Sequence, residues 1–406
     1  MTFVLKARRF RIIVLASITI LVAVQLIQSF HSINTIKRTT TKSGRANSTI
    51  TTSFATEPAA PTTYNFTTAI CAIVKDAETY LTEWLDYNLL ALEFENVYLY
   101  DNSDNFDLET WYNNTRSHPV YSRVHIEHKS GKYLDDEEIY VQNWAYTDCI
   151  MRFGQGYRRD KNSKYEEVWK DSPQHDYMVL IDFDEYIVFQ QEEDQDSDQQ
   201  QGTDKYKLAT TTPATRINTI HDLLNTYLVP YGGALSINWV LMGTANKTLY
   251  SPLPVLKRFQ YREDAKPHST VKTIVKSNDF VSSRNPHAVK LVKDKQVHDT
   301  LYPGNVAKLS PKGASNSNRP DAVVLLYHYR YMSDKEYFNR RCFRGEADEN
   351  EEKGSACLEG KGKATTNEKF IARPGEVFDD KAWKFLTSKV SKYQVYDSDE
   401  WQDLTR

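Results

Sequence analysis

The sequence predicts an α/β fold, and three observations carry that prediction. Short apolar runs rich in β-forming residues alternate with amphipathic stretches of helical period from residue 69 to about 153. Two of these runs end abruptly in polar turns, Lys75-Asp76 and Asp101-Asn102, as strands do when their carboxyl ends open onto a ligand crevice. A third run lies in residues 176–189 (DYMVLIDFDEYIVF), where three acids sit between segments of buried character.

The amino terminus comes first. Residues 12–30 (IIVLASITILVAVQLIQSF) carry no charge and are long enough to span a bilayer. A cleaved signal peptide would have a shorter apolar region and a small-x-small cleavage site, and none is clear here. Lys6, Arg8, Arg9 and Arg11 precede the span, so the positive-inside rule expects an uncleaved, single-pass type II anchor. Residues 1–11 are then a cytosolic tail, and everything after the span is lumenal. The mean hydropathy of −0.61 fits a soluble body on one anchor. Residues 31–68 are rich in Thr, Ser, Asn and Pro without periodicity, and read as a flexible stem. Asn47, Asn65, Asn113 and Asn246 each head an N-glycosylation sequon. The net charge is −3, and the four cations of the first eleven residues leave about −7 for the rest. That balance argues against a nucleic-acid partner, which calls for a basic face.

The body, residues 69–406, opens with the strand AICAIV. Leu81, Trp84, Leu85, Leu89 and Leu92 recur at helical spacing and predict a helix over 78–92. Residues 97–100 form the next strand, so strand, helix and strand make a parallel βαβ unit. A strand is expected at 124–128 and a helix over 137–153, with Val141, Trp144, Ala145 and Cys149 on one face. Strands follow at 177–181 and 187–189. Residues 190–213 are dominated by Gln, Asp, Glu and Thr and read as a disordered surface insertion with solvated acids. Beyond it, a helix is expected at 219–228 and strands at 234–242, 255–259, 272–275, 288–292 and within 323–330. Ser333-x-x-Glu336 is a capping box opening a helix that runs to about Cys342. A last amphipathic helix covers 380–393. Cys71 and Cys149 sit in apolar patterns and read as buried small hydrophobes. Cys342 and Cys357 flank a polar loop and are able to bridge in an oxidising lumen.

The central acids carry the chemistry. Asp182, Asp184 and Glu185 interrupt a buried-type pattern, and burying carboxylates is costly unless something neutralises them. A divalent cation would do so. Asp182 and Asp184 can approach one ion in a sharp turn, with Phe183 turned into the core. Hard oxygen ligands of this kind suit Mn2+ or Mg2+. A bare D-x-D is common, and the alternative is a solvated polar turn.

Taken in order, the stretches VKDAETYLTEWLDYN, VYLYDNSD, IDFDEYIVF, INWVLMGTANK with the following LKRF, VKTIVK, NPHAV and LLYHYRYMSDKEYFNRR resemble glycosyltransferase family 92. They spread from residue 70 to about 345; the 190–213 insertion departs from the pattern. The resemblance implies a GT-A-like, Rossmann-type mixed sheet flanked by helices, in a Golgi or ER membrane enzyme with a lumenal catalytic domain. It implies a metal-dependent, inverting transfer of a hexose such as galactose from a nucleotide-sugar donor, UDP-galactose being the expected type, to a glycan or glycoprotein acceptor. It places Asp182, Asp184 and His328 at the metal, and Lys75, Asp76, Asp101 and Asn102 around the base and ribose. Arg258, Lys272 and His287 could meet the diphosphate or serve ordinary structural roles, and Asp101 and Asn102 could simply shape a turn. An inverting path needs a carboxylate to take the acceptor proton. Glu263, Asp264 and Glu185 are the candidates. Two rival classes stand beside this reading: a lumenal glycan-binding or scaffolding protein without turnover, and a nucleotidyltransferase, for which no glycine-rich phosphate loop is present.

Overall fold

The computed structural model describes residues 64–75, 77–131, 140–159, 165–167, 174–190, 217–264, 266–340 and 372–398. The expected membrane span, most of the stem and of the 190–213 insertion, Asp76, Cys342 and Cys357 lie outside the described residues. No described helix is long and apolar enough to cross a membrane.

In chain order the strands begin with β1 (Thr68–Val74), β2 (Asn96–Asp101), β3 (Val124–His128), β4 (Tyr157–Arg159), β5 (Tyr165–Glu167), β6 (Tyr177–Leu180) and β7 (Glu185–Phe189). They continue as β8 (Ala234–Leu241), β9 (Tyr261–Arg262), β10 (Val271–Lys276), β11 (Phe280–Asn285), β12 (Ala288–Leu291), β13 (Val297–His298), β14 (Val324–His328) and β15 (Val377–Phe378). The α-helices used below are α1 (Glu78–Asp86), α2 (Glu109–Thr115), α3 (Val141–Cys149), α4 (Ile220–Tyr227), α5 (Val255–Arg258), α6 (Asp334–Asn339) and α7 (Lys381–Lys389).

One mixed sheet runs β3-β2-β1-β6-β10-β8-β14-β7, with β13 beside β8. The expected βαβ unit is there: β1 pairs parallel with β2, β2 with β3, and β1 with β6. β10 then runs antiparallel to both β6 and β8, and β7 antiparallel to β14. The sheet must curl. β7 follows β6 in the chain after a short link, yet stands four places away, roughly 19 Å along a flat sheet. The link is not extended, because Glu185 N donates to Asp182 O at 3.1 Å. Only a curled sheet brings the far edge back to the end of β6.

β1 is buried along its whole length because both faces are covered. Ile70, Ala72 and Val74 meet Leu81, Trp84 and Leu85 of α1 in one core. Cys71 and Ile73 join Met178, Leu180, Val141 and Ala145 of α3 in a second core on the other face.

Four expectations change. Cys71 and Cys149 are not free hydrophobes but a disulfide, Cα atoms 6.1 Å apart, joining β1 to the end of α3 across 78 residues. The helix over 78–92 is α-helical only to Asp86 and continues as a π-helical turn, Tyr87–Ala91. There Asn88 Nδ2 donates to Trp84 O at 2.8 Å, the acceptor its own amide would take in a regular helix. Residues 255–259 are not a strand. Glu83 accepts Val255 N at 2.6 Å and Leu256 N at 2.9 Å, a carboxylate on the first amides of α5. The capping boxes at Ser333 and Thr219 are both formed. The final helix ends at Lys389 and passes into a 3-10 turn, Ser391–Asp397.

Candidate functional site

The acid turn leaves β6 at the carboxyl ends of the central strands. It is closed from both sides: Glu185 N donates to Asp182 O, and Glu185 Oε2 accepts Asp182 N at 2.9 Å. Phe183 turns into the core, as expected. The antiparallel ladder between β14 and β7 sets His328 opposite Glu185, and Tyr329 N donates to Asp184 O at 2.8 Å. A histidine distant in sequence is thereby brought to the acids.

The acids find their counter-charges within the chain. Lys272 Nζ of β10 lies 2.8 Å from Asp182 Oδ2 and 3.5 Å from Glu185 Oε2. Tyr146 OH of α3 donates to Asp182 Oδ1 at 2.7 Å. Arg340, just past α6, places Nη1 2.5 Å from Asp184 Oδ2, and His328 Nε2 lies 3.4 Å from the same oxygen. Burial alone would raise the Asp184 pKa, but Arg340 and His328 outweigh it and hold the carboxyl well below the usual carboxylate range. Burial likewise opposes ionisation of Asp182, and Lys272 reverses that. Burial dominates at Glu185, whose carboxyl is raised well above the ordinary value despite Lys272. Lys272 stays charged: burial disfavours its ammonium, and Asp182 and Glu185 more than compensate. Two carboxylates and two cations leave the cluster close to neutral. The desolvation argument from sequence therefore has an answer besides an external ion.

The site also has groups left over. Asp184 Oδ1, Glu185 Oε1, Trp239 Nε1, Glu263 Oε1 and His328 Nδ1 are buried without a hydrogen-bond partner. Each such group costs about 1–3 kcal/mol, so their gathering on adjoining strands points to a ligand that satisfies them. Trp239 ties them together, its ring 4.5 Å from that of His328 and 5.2 Å from that of His287.

Among the described residues no group of three or more His, Cys, Asp or Glu is arranged to hold a metal ion. A two-ligand site does fit. Asp184 Oδ1 is buried and unused, and His328 Nε2 lies 3.4 Å from the other oxygen, Oδ2, which an ion bridging the pair would take from Arg340. Ions of the magnesium type commonly take one or two protein ligands and complete their shell with substrate phosphates and water. Asp182 is engaged by Tyr146 and Lys272 instead.

The other sequence candidates separate. Lys272 is fully buried as the partner of Asp182 and Glu185. Arg258 is buried in a two-pronged pair with Glu336, at 2.9 and 3.2 Å, and braces α5 against α6. Asp101 accepts Ser103 N and Leu108 N, and Asn102 donates to Lys129 O and Gly131 O, so both side chains shape the loop after β2. Lys75 is half-buried, 3.9 Å from Asp104. His287 Nδ1 donates to Val271 O at 3.1 Å, and burial lowers its pKa to about 4, so it is neutral. Of the base candidates, Asp264 is exposed and its Oδ1 accepts Lys266 N. Glu185 has no exposed surface. Glu263 is half-buried beyond the end of β8, where its amide donates to Leu241 O at 2.9 Å. Leu241 is the register partner of His328, which puts Glu263 beside the acid site. Arg373 reaches it at 3.5 Å from a segment held by Gly243. A Cβ on Gly243 would lie 2.3 Å from Gly375 N, so only glycine admits this approach.

Sequence reasoning did not reach Tyr146, Trp239 or Arg340. Tyr146 lies on the helix whose buried face was legible, one residue past Ala145. Trp239 carries the alternating pattern of a buried strand and nothing that marks it as polar-facing. Arg340 falls within the YFNRR stretch, but pairing it with Asp184 requires the tertiary fold. No protein-family model matches the chain, and no curated protein matches it.

Proposed function

We propose that this chain is a GT-A-like, metal-dependent glycosyltransferase that moves a hexose, galactose being the expected one, from a nucleotide-diphosphate sugar to a glycan acceptor. The observation that carries the reading is the set of unpartnered buried groups around the acid turn, at the carboxyl ends of the strands where open α/β sheets bind ligands. The mixed sheet order and the sequence resemblance support it.

Asp184 and His328 are the residues that would hold Mn2+ or Mg2+. Once bound, the ion supplies Lewis-acid stabilisation of the charge that develops on the departing diphosphate. Lys272 and Tyr146 keep Asp182 ionised and fixed, so that its carboxylate adds to the field at the donor rather than moving with it. Glu263 is the carboxylate best placed to take the acceptor proton, because it is half-buried beyond the end of β8, where Tyr331 and Arg373 hold it. The Trp239 indole N–H is free to donate to a sugar hydroxyl.

One observation favours a binding protein without turnover: Arg340 and Lys272 already neutralise the acids. A screen of nucleotide sugars for manganese-dependent hydrolysis or transfer separates the two. Turnover that rises with manganese and vanishes on chelation supports the enzyme. Binding of donor or glycan with no turnover of any nucleotide sugar would overturn it.

A further inference from the structure

A second cavity lies apart from the acid site. It measures about 250 Å3 and is bounded by Ser236, Thr273, Val289 and Leu309, with Arg284 and Lys290 on its rim. Ser236 and Thr273 are register partners across β8 and β10. Lys272, next along β10, points to the opposite face, because successive strand side chains alternate. The cavity is therefore on the reverse side of the sheet from the Lys272–Asp182 pair.

Its lining has three kinds of chemistry. Val271, Ala288, Val289 and Val297 form an apolar floor. Ser236 Oγ donates to His298 O at 3.1 Å and Thr273 Oγ1 to His287 O at 2.8 Å, so each hydroxyl has its proton committed and its oxygen free to accept. Arg284 and Lys290 are exposed on the two strands of the β11–β12 hairpin, and neither forms an ion pair among the described residues. Lys295 adds a third cation, 3.6 Å from Asp279. The surrounding residues 276–312 hold seven Lys and Arg against three Asp, within a chain of net charge −3. Two of those acids, Asp279 and Asp299, are buried. This face attracts anions although the whole molecule repels them.

We propose that this cavity binds an acidic monosaccharide unit, a pyranose ring bearing a carboxylate. The volume is below that of drug-sized sites and suits a single ring. The apolar floor takes the C–H face of the ring, the two hydroxyl oxygens accept from sugar hydroxyls, and Arg284 and Lys290 meet the carboxylate. A bare inorganic anion would use the rim and leave the floor unexplained. None of the residues lining the cavity is assigned a role in transfer, so the proposal stands whether or not the transferase reading holds.

The test is ligand-observed NMR saturation transfer on the purified full-length chain, titrating methyl β-D-glucuronide against methyl β-D-glucoside and inorganic phosphate. The glucuronide should bind and the glucoside should not. The Arg284→Gln/Lys290→Gln double variant should lose about tenfold in affinity, the scale of two exposed ion pairs. Its thermal melt should match the wild type, since both side chains are exposed and unpaired. Equal binding of glucoside, displacement of the glucuronide by phosphate at the same concentration, unchanged affinity in the variant, or no glucuronide signal across the millimolar range would each overturn the proposal.

Discussion

Asp184 meets the Arg340 guanidinium and the His328 ring through one oxygen and leaves the other bare. Arg340 is thus a resident competitor for any ion that Asp184 holds. Arg340→Gln should tighten manganese binding several-fold, read directly by calorimetry or by manganese paramagnetic resonance without any turnover. Unchanged affinity in that variant would show that Arg340 does not compete. Asp184→Asn should cut turnover by about two orders of magnitude, as expected when an electrostatic stabiliser of a developing anion is lost. It should also cost about 1–3 kcal/mol in stability, because the partly buried Arg340 loses its carboxylate partner. Retained turnover in Asp184→Asn at all manganese levels would remove this carboxylate from the mechanism. Asp182 and Asp184 stand out in sequence as acids set between apolar runs, whereas His328 enters only through the family resemblance. Asp182 was legible as a site residue, but its partner was not. In sequence Lys272 is open to a diphosphate or to pairing with acids, and only the fold sets its ammonium 2.8 Å from Asp182. Ion pairs between distant strands leave no periodicity in the chain.

At the scale of elements, two joints set how well the site is held. The Cys71–Cys149 bridge ties β1 to α3, the helix that carries Tyr146 to Asp182. Closing a loop of this length is worth about 4 kcal/mol in the chain-entropy account. A Cys71→Ala/Cys149→Ala variant should therefore unfold at clearly lower urea, and should match the wild type measured in strong reductant. Equal midpoints for the oxidised wild type and the variant would rule the bridge out as a stabiliser. The second joint is Glu83 against α5. Burial pushes its carboxyl up to about 7, against about 4.5 for the free group. Between these values the folded state holds the extra proton, so stability falls as pH rises through the window and levels off above it. The loss should reach about 3 kcal/mol, about 2.5 pKa units at about 1.4 kcal/mol each. Glu83→Gln should remove that slope between pH 5 and 7, as read by urea titrations at a series of pH values. A variant with the same slope as the wild type would assign the pH dependence elsewhere. The parallel half of the sheet and its helices were readable from apolar spacing. The helix at Val255–Arg258 was not, since a short apolar run fits strand or helix and the deciding carboxylate is 172 residues away.

For the whole molecule, the bridge and the sequons bear on the same question. Disulfides persist in oxidising compartments. Asn65, Asn113 and Asn246 are all exposed. If the body enters the secretory lumen, chain made in cells should shift in mobility on endoglycosidase treatment, and single Asn→Gln changes at these positions should remove parts of that shift. A chain with unaltered mobility and free thiols at Cys71 and Cys149 would place the body elsewhere.

The sheet order has a consequence for how the protein is made. Among the described strands β7 stands at the edge of the sheet and pairs only with β14. β7 leaves the ribosome with residue 189, whereas β14 does not begin until residue 324. At common rates of synthesis the wait is roughly ten to thirty seconds. Through that interval an apolar strand, EYIVF, has an open edge able to template pairing with a neighbouring chain. The acid turn is joined directly to it. Asp184 therefore waits for His328 and Arg340, and the centre cannot exist on a nascent chain. The groups that make up the centre arrive at the two ends of a long delay.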